Sequence, residues 1–431
     1  MDTTESFLVD ISDKLQIVDR NEIKPKVHTF GVNDDIYDII SYFLESINSN
    51  QAFYIVDLHE VQSRYQLWSE CLPRVQAYYA IKSNPDPMIL YVLAKLGCGF
   101  DCASREEIIM AKANGVPDDK IIYANPCKKP ESLQYARSVD VDLMTFDSRS
   151  ELDKIKLYHP DAKCIIRIAV DDSGSECRFS CKFGTSLEEA KDLLTLAKLD
   201  EIDIVGISWH VGSNCRVMGQ FDKAFRDARL IFDCATEMGF NMEIIDIGGG
   251  FPGVDTDKIT FRQMPVSGTP SKLTFRQIAE EINTAIDKHF GDVPNIRFIG
   301  EPGRFMCTSS HTLVNTIIGI KSIPDKKGGE KVYMYTIDDT VYGSFNCIKY
   351  DYAVPQFQAF NERTEKTYKS TIFGQSCDSM DKELNGSEYS FLPKLAIGDR
   401  VFVTNFGAYT CAGSSSFNGF TPPGKHYIIR S

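Results

Sequence analysis

No run of ~18 consecutive apolar residues occurs in this 431-residue chain, so no membrane-spanning helix is predicted. The opening segment, MDTTESFLVDISDK, lacks the basic and apolar regions of a secretory signal and the arginine-rich character of a transit peptide, and neither is expected. A basic surplus is missing too. The 47 Lys and Arg against 60 Asp and Glu leave a net charge of −13, which argues against a general binder of nucleic acid or anionic membrane. It leaves room for a local basic pocket that takes an anion. The 13 cysteines show no zinc-type ligand pattern, and no metal site is predicted. Their number is odd and they are scattered through strand-like and helix-like stretches. Reduced thiols in a cytoplasmic protein are expected rather than a disulfide framework.

What is present is alternation. From about residue 75 to 305, eight short β-branched or aromatic runs recur: AYYAIK (77–82), CGFDCAS (98–104), IIYANP (121–126), LMTFDS (143–148), CIIRIAV (164–170), IVGISWHV (204–211), EIIDIGGG (243–250) and IRFIGEPG (296–303). Amphipathic stretches separate them, among them SREEIIMAKANG (104–115), SLEEAKDLLTLAKL (186–199) and QFDKAFRDARLIFDCATEMGF (220–240). Ser104 followed by Glu107 and a closing Gly115 is a helix with its cap and stop. Eight such units fit a (β/α)8 TIM barrel; a doubly wound sheet is the competitor. The polar residues favour the barrel. Lys82, Asp101, Asn125, Asp147, Arg167, His210, Gly248 and Glu301 each sit at or just past the C-terminal end of a different strand, and a barrel gathers those ends into one mouth.

After about residue 310 the pattern changes to strands without long helical periods (HTLVNTIIGIKSI, KVYMYTID, STIFG, RVFVTNF, HYIIR), which predicts a C-terminal, mostly antiparallel β domain. The expected organisation is residues 1–55 as an N-terminal segment packing with the β domain, 56–309 as the barrel and 310–431 as the β domain. TFRQM (260–264) and TFRQI (274–278) lie in a stretch, 252–275, that is either a surface-loop insertion or a small internal duplication.

Several residues have chemistry in reach. Lys82 closes an otherwise apolar strand. Burial there would disfavour its ammonium, as a Schiff-base lysine needs, although a strand-end lysine also snorkels to solvent. DIGGGFPG (246–253) follows a strand, and its glycines let backbone N–H groups close on a phosphate. It is not read as a Rossmann fingerprint, and GK[ST] of a P-loop is absent. In GEPGRF, Glu301 and Arg304 share a tight turn that could aim a carboxylate at a pyridinium nitrogen and a guanidinium at a phosphate, or could form a local ion pair. His210 and Ser213 in SWHVGSN, Tyr350 and Asp351 in YDY, Cys377 and Asp378 in CDSMD, and Tyr409 in FGAYT are, taken singly, more at home as structural residues than as functional ones. For Cys377, beside an acid, a protonated thiol is easier to defend than a nucleophile.

Together the motifs YAIKSN, GFDCAS, IIYANPCK, SWHVGS, DIGGGFPG, EPGRF, VYGSFN, YD, CDSMD and GAYT, in that order, resemble the eukaryotic-type ornithine decarboxylases among the alanine racemase-like barrel-plus-β-domain enzymes. The resemblance runs from about residue 25 to 430. It implies decarboxylation of L-ornithine to putrescine and CO₂, the first step of polyamine biosynthesis, with pyridoxal 5′-phosphate as cofactor. It assigns Lys82 to covalent attachment of that cofactor, Glu301 to the ring nitrogen, His210 to the ring face and Asp101 to the neighbourhood of the lysine. Ser213, Gly249, Gly250, Arg304 and Tyr409 would hold the phosphate, with Arg167 also lining the site. Cys377 would return a proton to the α-carbon, and Asp378, Asp351 and Tyr350 would meet the substrate.

The same resemblance implies a homodimer whose sites are completed across the interface, with Lys182 and Asp381 paired between subunits. FGQSCD stands where the family commonly has WGPTCD; Asn214 and Thr340 stand where glycine is usual. Residues 121–142 match the animal antizyme-binding element but differ from it in basic content, and antizyme binding is not expected. The rival readings are the same chemistry on lysine, arginine or diaminopimelate, and a non-catalytic binder like the antizyme inhibitors.

Overall fold

The structure, a computed structural model, describes residues 26–46, 51–254, 273–325, 328–360, 366–382, 384 and 389–431. These fall into two compact units, one reaching Val61 and resuming at Thr308–Ser431, the other spanning Gln62 to Cys307. No described helix is long and apolar enough to cross a membrane.

The second unit is a closed barrel of eight strands: Val75–Ala80, Gly99–Cys102, Ile121–Tyr123, Leu143–Phe146, Lys163–Arg167, Asp203–Ser208, Ile244–Asp246 and Arg297–Gly300. Each pairs parallel with its neighbours in chain order, so all eight C-terminal ends open on one rim. Tyr78, Ile122, Leu143, Ile165, Val205, Ile244 and Ile299, one from each of seven strands, form one buried apolar cluster. Strand side chains alternate, so the residue two positions further on shares that face. Ile165 leads to Arg167, Ile244 to Asp246 and Ile299 to Glu301. The period that fills the barrel therefore also delivers its polar rim.

The helices begin and end where local chemistry requires. Ser104 Oγ accepts the Glu107 N–H at 3.2 Å, opening helix Arg105–Ala113, and the Glu107 carboxylate reaches back to the Ala103 N–H at 2.5 Å. Ser186 and Glu189 form a full capping box before Leu187–Leu199. Each cap contributes about 1 kcal/mol. Thr274 and Gln277 do the same for Phe275–Phe290, which gives TFRQI its role; TFRQM lies outside the described residues.

The first unit is built on a nine-stranded sheet. Its long strand His311–Ile323 pairs antiparallel with Phe53–Asp57, Val332–Ile337 and Arg400–Val403. Gly424–Arg430 pairs parallel with both Val27–Phe30 and Phe53–Asp57, and Val332–Ile337 pairs parallel with Tyr368–Phe373. The chain's first described strand thus lies beside its last. Helix Ile36–Ser46 covers the sheet, burying Ile39, Ile40 and Phe43 against Phe53, Ile55, Val314, Phe402 and Ile428.

Candidate active site

The barrel rim carries one compact set of charged groups. Lys82 sits on a short turn, Ile81–Ser83, directly after the first strand, and its Nζ lies 2.5 Å from Asp101 Oδ2. Asp101 is fully buried while the Lys82 side chain is 40% exposed. Of the two readings of Lys82, desolvated in the strand end or reaching to solvent, the structure shows the second: the side chain is partly exposed and its amine is held by a buried carboxylate. The strand's apolar residues face the core, and the turn lifts Lys82 off them.

Around that pair stand more acids than the sequence reading assigned. Burial, then Asp246 and Asp101, push the Glu301 carboxyl well above its ordinary range against the opposing pull of Lys82 and Arg167. Asp246 is likewise raised, to about 7, chiefly by burial, and its carboxyl faces Glu301. Two buried carboxyls side by side do not both ionise, so the pair retains a proton near neutral pH. Glu107 is pushed up to about 7 by burial, with Asp101 adding to the shift. Asp246 and Glu107 were missed as site residues. The signal for Asp246 was the strand period, two residues on from Ile244.

His210 is neutral at pH 7, because burial and the cations Arg167 and Lys82 hold its imidazole well below the usual histidine value. The Gly212 N–H donates to Nδ1 at 3.0 Å, which leaves the ring proton on Nε2. Phe179 meets the ring edge to face at 4.9 Å. Arg167 leans on Phe183, 5.1 Å from the ring centroid.

The loops after the sixth, seventh and eighth strands interlock. Glu301 N–H donates to Gly248 O at 2.7 Å, and Cys215 N–H to Gly250 O at 2.9 Å. A Cβ on Gly249 would stand 2.7 Å from His210 Nε2, and one on Gly250, where φ is +115°, 2.7 Å from Gly212 O. Only glycine fits this arch. Gly248, Gly250 and Gly253 do have the literal G-x-G-x-x-G spacing, but the segment is an irregular loop after a barrel strand and opens no helix at that point. Arg304 Nη2 donates to Ser213 Oγ at 3.1 Å. Both sides of this cradle are anchored by aromatic neighbours. Phe251, next to Gly250, and Phe305, next to Arg304, pack on Trp68 with centroids at 4.7 and 5.7 Å. Asn214 takes φ +57°, a left-handed value that asparagine tolerates and that suits the family's glycine.

A lysine amine, a guanidinium with a hydroxyl and a glycine arch, a proton-bearing buried carboxyl and a neutral flat ring are the donor set that pyridoxal phosphate requires. The residues fit the group.

The remaining candidates, Lys182 apart, lie in the sheet unit. Cys377 is exposed on the irregular loop 374–381, and its N–H donates to Asn418 Oδ1 at 3.1 Å. Asp378 is half-buried and faces Tyr342, whose phenol is raised by burial and then by the Asp378 charge. Gln375 ties the loop down twice, N–H to Asp339 O at 3.1 Å and side-chain amide to Asp338 O at 2.9 Å. A proline at this position would have neither bond. Thr340 Oγ1 accepts from the N–H groups of Tyr342 and Gly343, so its hydroxyl builds the turn that glycine permits elsewhere.

Asp351 is buried just past the short helix Cys347–Tyr350, whereas Tyr350 is 76% exposed. Tyr409 is half-buried at φ +55°. Asp381 is buried, with Oδ1 on the Val341 N–H at 2.8 Å and Oδ2 on the Ser376 N–H at 2.9 Å. Its carboxylate serves its own loop first, and an exposed Lys182 could reach only the lone pairs that remain.

The family described as "Pyridoxal-dependent decarboxylase, pyridoxal binding domain" matches residues 58–308. The ornithine decarboxylase of Mus musculus is 42% identical over 405 residues, covering 92% of this chain and 84% of the mouse protein. Antizyme inhibitor 2 of Xenopus laevis is 39% identical over 403 residues, 92% of this chain and 85% of its own. Among solved structures, the arginine decarboxylase of Paramecium bursaria Chlorella virus bound to agmatine superposes with a TM-score of 0.82 at 31% identity, covering 91% of this chain and all of that one. The chain belongs to the pyridoxal-dependent decarboxylases, in the family of the eukaryotic ornithine decarboxylases, and pyridoxal phosphate is the cofactor of its barrel rim.

Proposed function

We propose that the protein releases CO₂ from L-ornithine and leaves putrescine, as a homodimer in the cytoplasm. The observation that carries the reading is the buried Asp246–Glu301 carboxyl pair beside the Lys82–Asp101 ion pair in one barrel mouth. When bound, pyridoxal phosphate supplies the electron sink for the pair left on the α-carbon as CO₂ departs. Lys82 offers the amine that attaches the cofactor, and Asp101 holds that amine in place. Glu301 carries a proton that a basic ring nitrogen can take, and Asp246 shares the resulting charge. Arg304, Ser213 and the N–H groups of the glycine arch hold an anionic group, with Tyr409 as a further donor. His210 offers a neutral ring face, with its proton on Nε2.

The sheet unit supplies what the barrel lacks. Cys377 carries a thiol proton that it can hand to the α-carbon. Asp378 and Asp351, with Tyr350 alongside, receive the distal ammonium. Exposure of Cys377 and Tyr350 on a single chain supports completion of each site by a second subunit, with Lys182 and Asp381 meeting between them. No disulfide joins any of the 13 cysteines, which supports a reducing compartment.

Likeness to an arginine decarboxylase favours one second reading, the same chemistry on a longer cation. A carboxylate on a compact ammonium separates the two. Asp378→Asn is expected to raise KM for ornithine by about tenfold while leaving KM for cofactor unchanged, the loss of one charge-assisted hydrogen bond. Steady-state CO₂ release measures both constants. An unchanged ornithine KM removes Asp378 from the substrate site.

A further inference from the structure

Loop 374–381 is irregular, and Cys377 stands exposed on it in the single chain. The backbone is fixed at separate points. Gln375 bonds to the carbonyls of Asp338 and Asp339. The Asp381 carboxylate holds the N–H groups of Ser376 and Val341. Met380 N–H turns back onto Asp378 Oδ1 at 2.7 Å. At Cys377 itself the anchor is Asn418, whose Oδ1 takes the Cys377 N–H at 3.1 Å.

Asn418 is in turn a prepared group. It holds φ +57° inside the turn Phe417–Gly419. Phe417 packs on the Tyr342 ring with centroids 4.2 Å apart. The backbone N–H of Ser415 donates to Tyr342 O at 2.8 Å, and its hydroxyl donates to the same oxygen at 3.2 Å. Tyr342 also faces Asp378. One small platform, Tyr342 with the turn 415–419, thus reaches the Cys377 backbone N–H and the Asp378 side chain, the two residues that the proposed reaction takes from this loop.

We propose that Asn418 is a positioning residue that sets the direction in which Cys377 presents its proton to the substrate carbon. The inference rests on the role given to Cys377 above. In the step concerned, the bond to CO₂ has broken, its electron pair remains on the carbon side, and a C–H bond forms with the thiol proton as the sulfur becomes a thiolate. Solvent then returns a proton to the sulfur. A donor held in one direction delivers to one face of that carbon; a donor on a loose loop delivers to both. No contact of Asn418 with substrate is needed for this.

The left-handed φ allows a clean substitution, because glycine removes the acceptor oxygen and adopts the same φ without steric strain. Holoenzyme with Asn418→Gly is compared with Asn418→Asp, which keeps an acceptor at the same reach, and with Cys377→Ala. Should Asn418→Gly fail to fold, Asn418→Ser serves in its place, its oxygen being too short to reach. Two readouts are used: the handedness of the monodeuterated diamine formed in D₂O, and amide hydrogen exchange in the peptide carrying Cys377. The unsubstituted enzyme and Asn418→Asp are expected to give product of one hand. Asn418→Gly is expected to give a mixture, with kcat ~10- to 100-fold lower, KM little changed, and exchange at Cys377 faster by ~5- to 10-fold. An Asn418→Gly enzyme that keeps single-handed product and kcat overturns the proposal if Cys377→Ala loses them. If Cys377→Ala keeps them too, the role of Cys377 itself falls, and the proposal with it.

Discussion

Lys82→Ala is expected to abolish the visible absorbance of attached cofactor and to lower CO₂ release by at least ~10³-fold, because the amine that brings cofactor and substrate into one geometry is gone. The substitution also strips the buried Asp101 of the cation 2.5 Å away, which could unsettle folding on its own account. The double variant Lys82→Ala, Asp101→Asn removes both charges together and separates the two effects. If the double variant melts like the unsubstituted protein and still shows neither absorbance nor turnover, the loss is chemical. Turnover with a retained absorbance band in either variant would contradict the role of Lys82.

Arg304→Ala is the second large effect. The guanidinium is buried, braced by Ser213 at 3.1 Å, and set in place by Phe305 against Trp68. Truncating one partner of a buried charge pair typically costs 2–5 kcal/mol, so the dissociation constant for pyridoxal phosphate should rise by ~10²-fold. Turnover should return when cofactor is in excess. Arg304→Lys should recover little, since an ammonium cannot reproduce the planar fork of donors. Ser213→Ala should be milder, a few-fold, as one neutral hydrogen bond contributes about 1 kcal/mol. Fluorescence titration of the apoprotein measures all three. Unchanged cofactor affinity in Arg304→Ala would place the phosphate elsewhere.

The barrel was legible because its eight strands are short, apolar and spaced by helices with visible caps, as at Ser104 and Ser186. The rim was legible for a related reason: charged residues at strand ends interrupt the apolar period, as Arg167 and Glu301 do. Asp246 escaped because the adjacent glycines drew the reading to the backbone, although the same period pointed at its side chain. Lys82 was placed correctly along the chain, and the family resemblance put Asp101 near it; the local pattern alone left the amine either buried or reaching to solvent. Its partner Asp101 comes from the next strand, and pairing across strands is invisible to a local pattern. The sheet unit hid more. The parallel pairing of Val332–Ile337 with Tyr368–Phe373 depends on a connection without regular period. The bonds that tie loop 374–381 down, from Gln375 to Asp338 and Asp339 and from Cys377 to Asn418, cross turns that carry no sequence signal beyond their polarity.

The most direct test is CO₂ release by the purified holoenzyme given ornithine, lysine, arginine and diaminopimelate side by side. The account predicts ornithine first and lysine next, separated by the ~1–3 kcal/mol that one methylene provides, roughly 10- to 150-fold in kcat/KM. Preference for arginine or diaminopimelate would contradict the carboxylate reading of Asp378 and Asp351, and no release from any of the four would contradict decarboxylation itself.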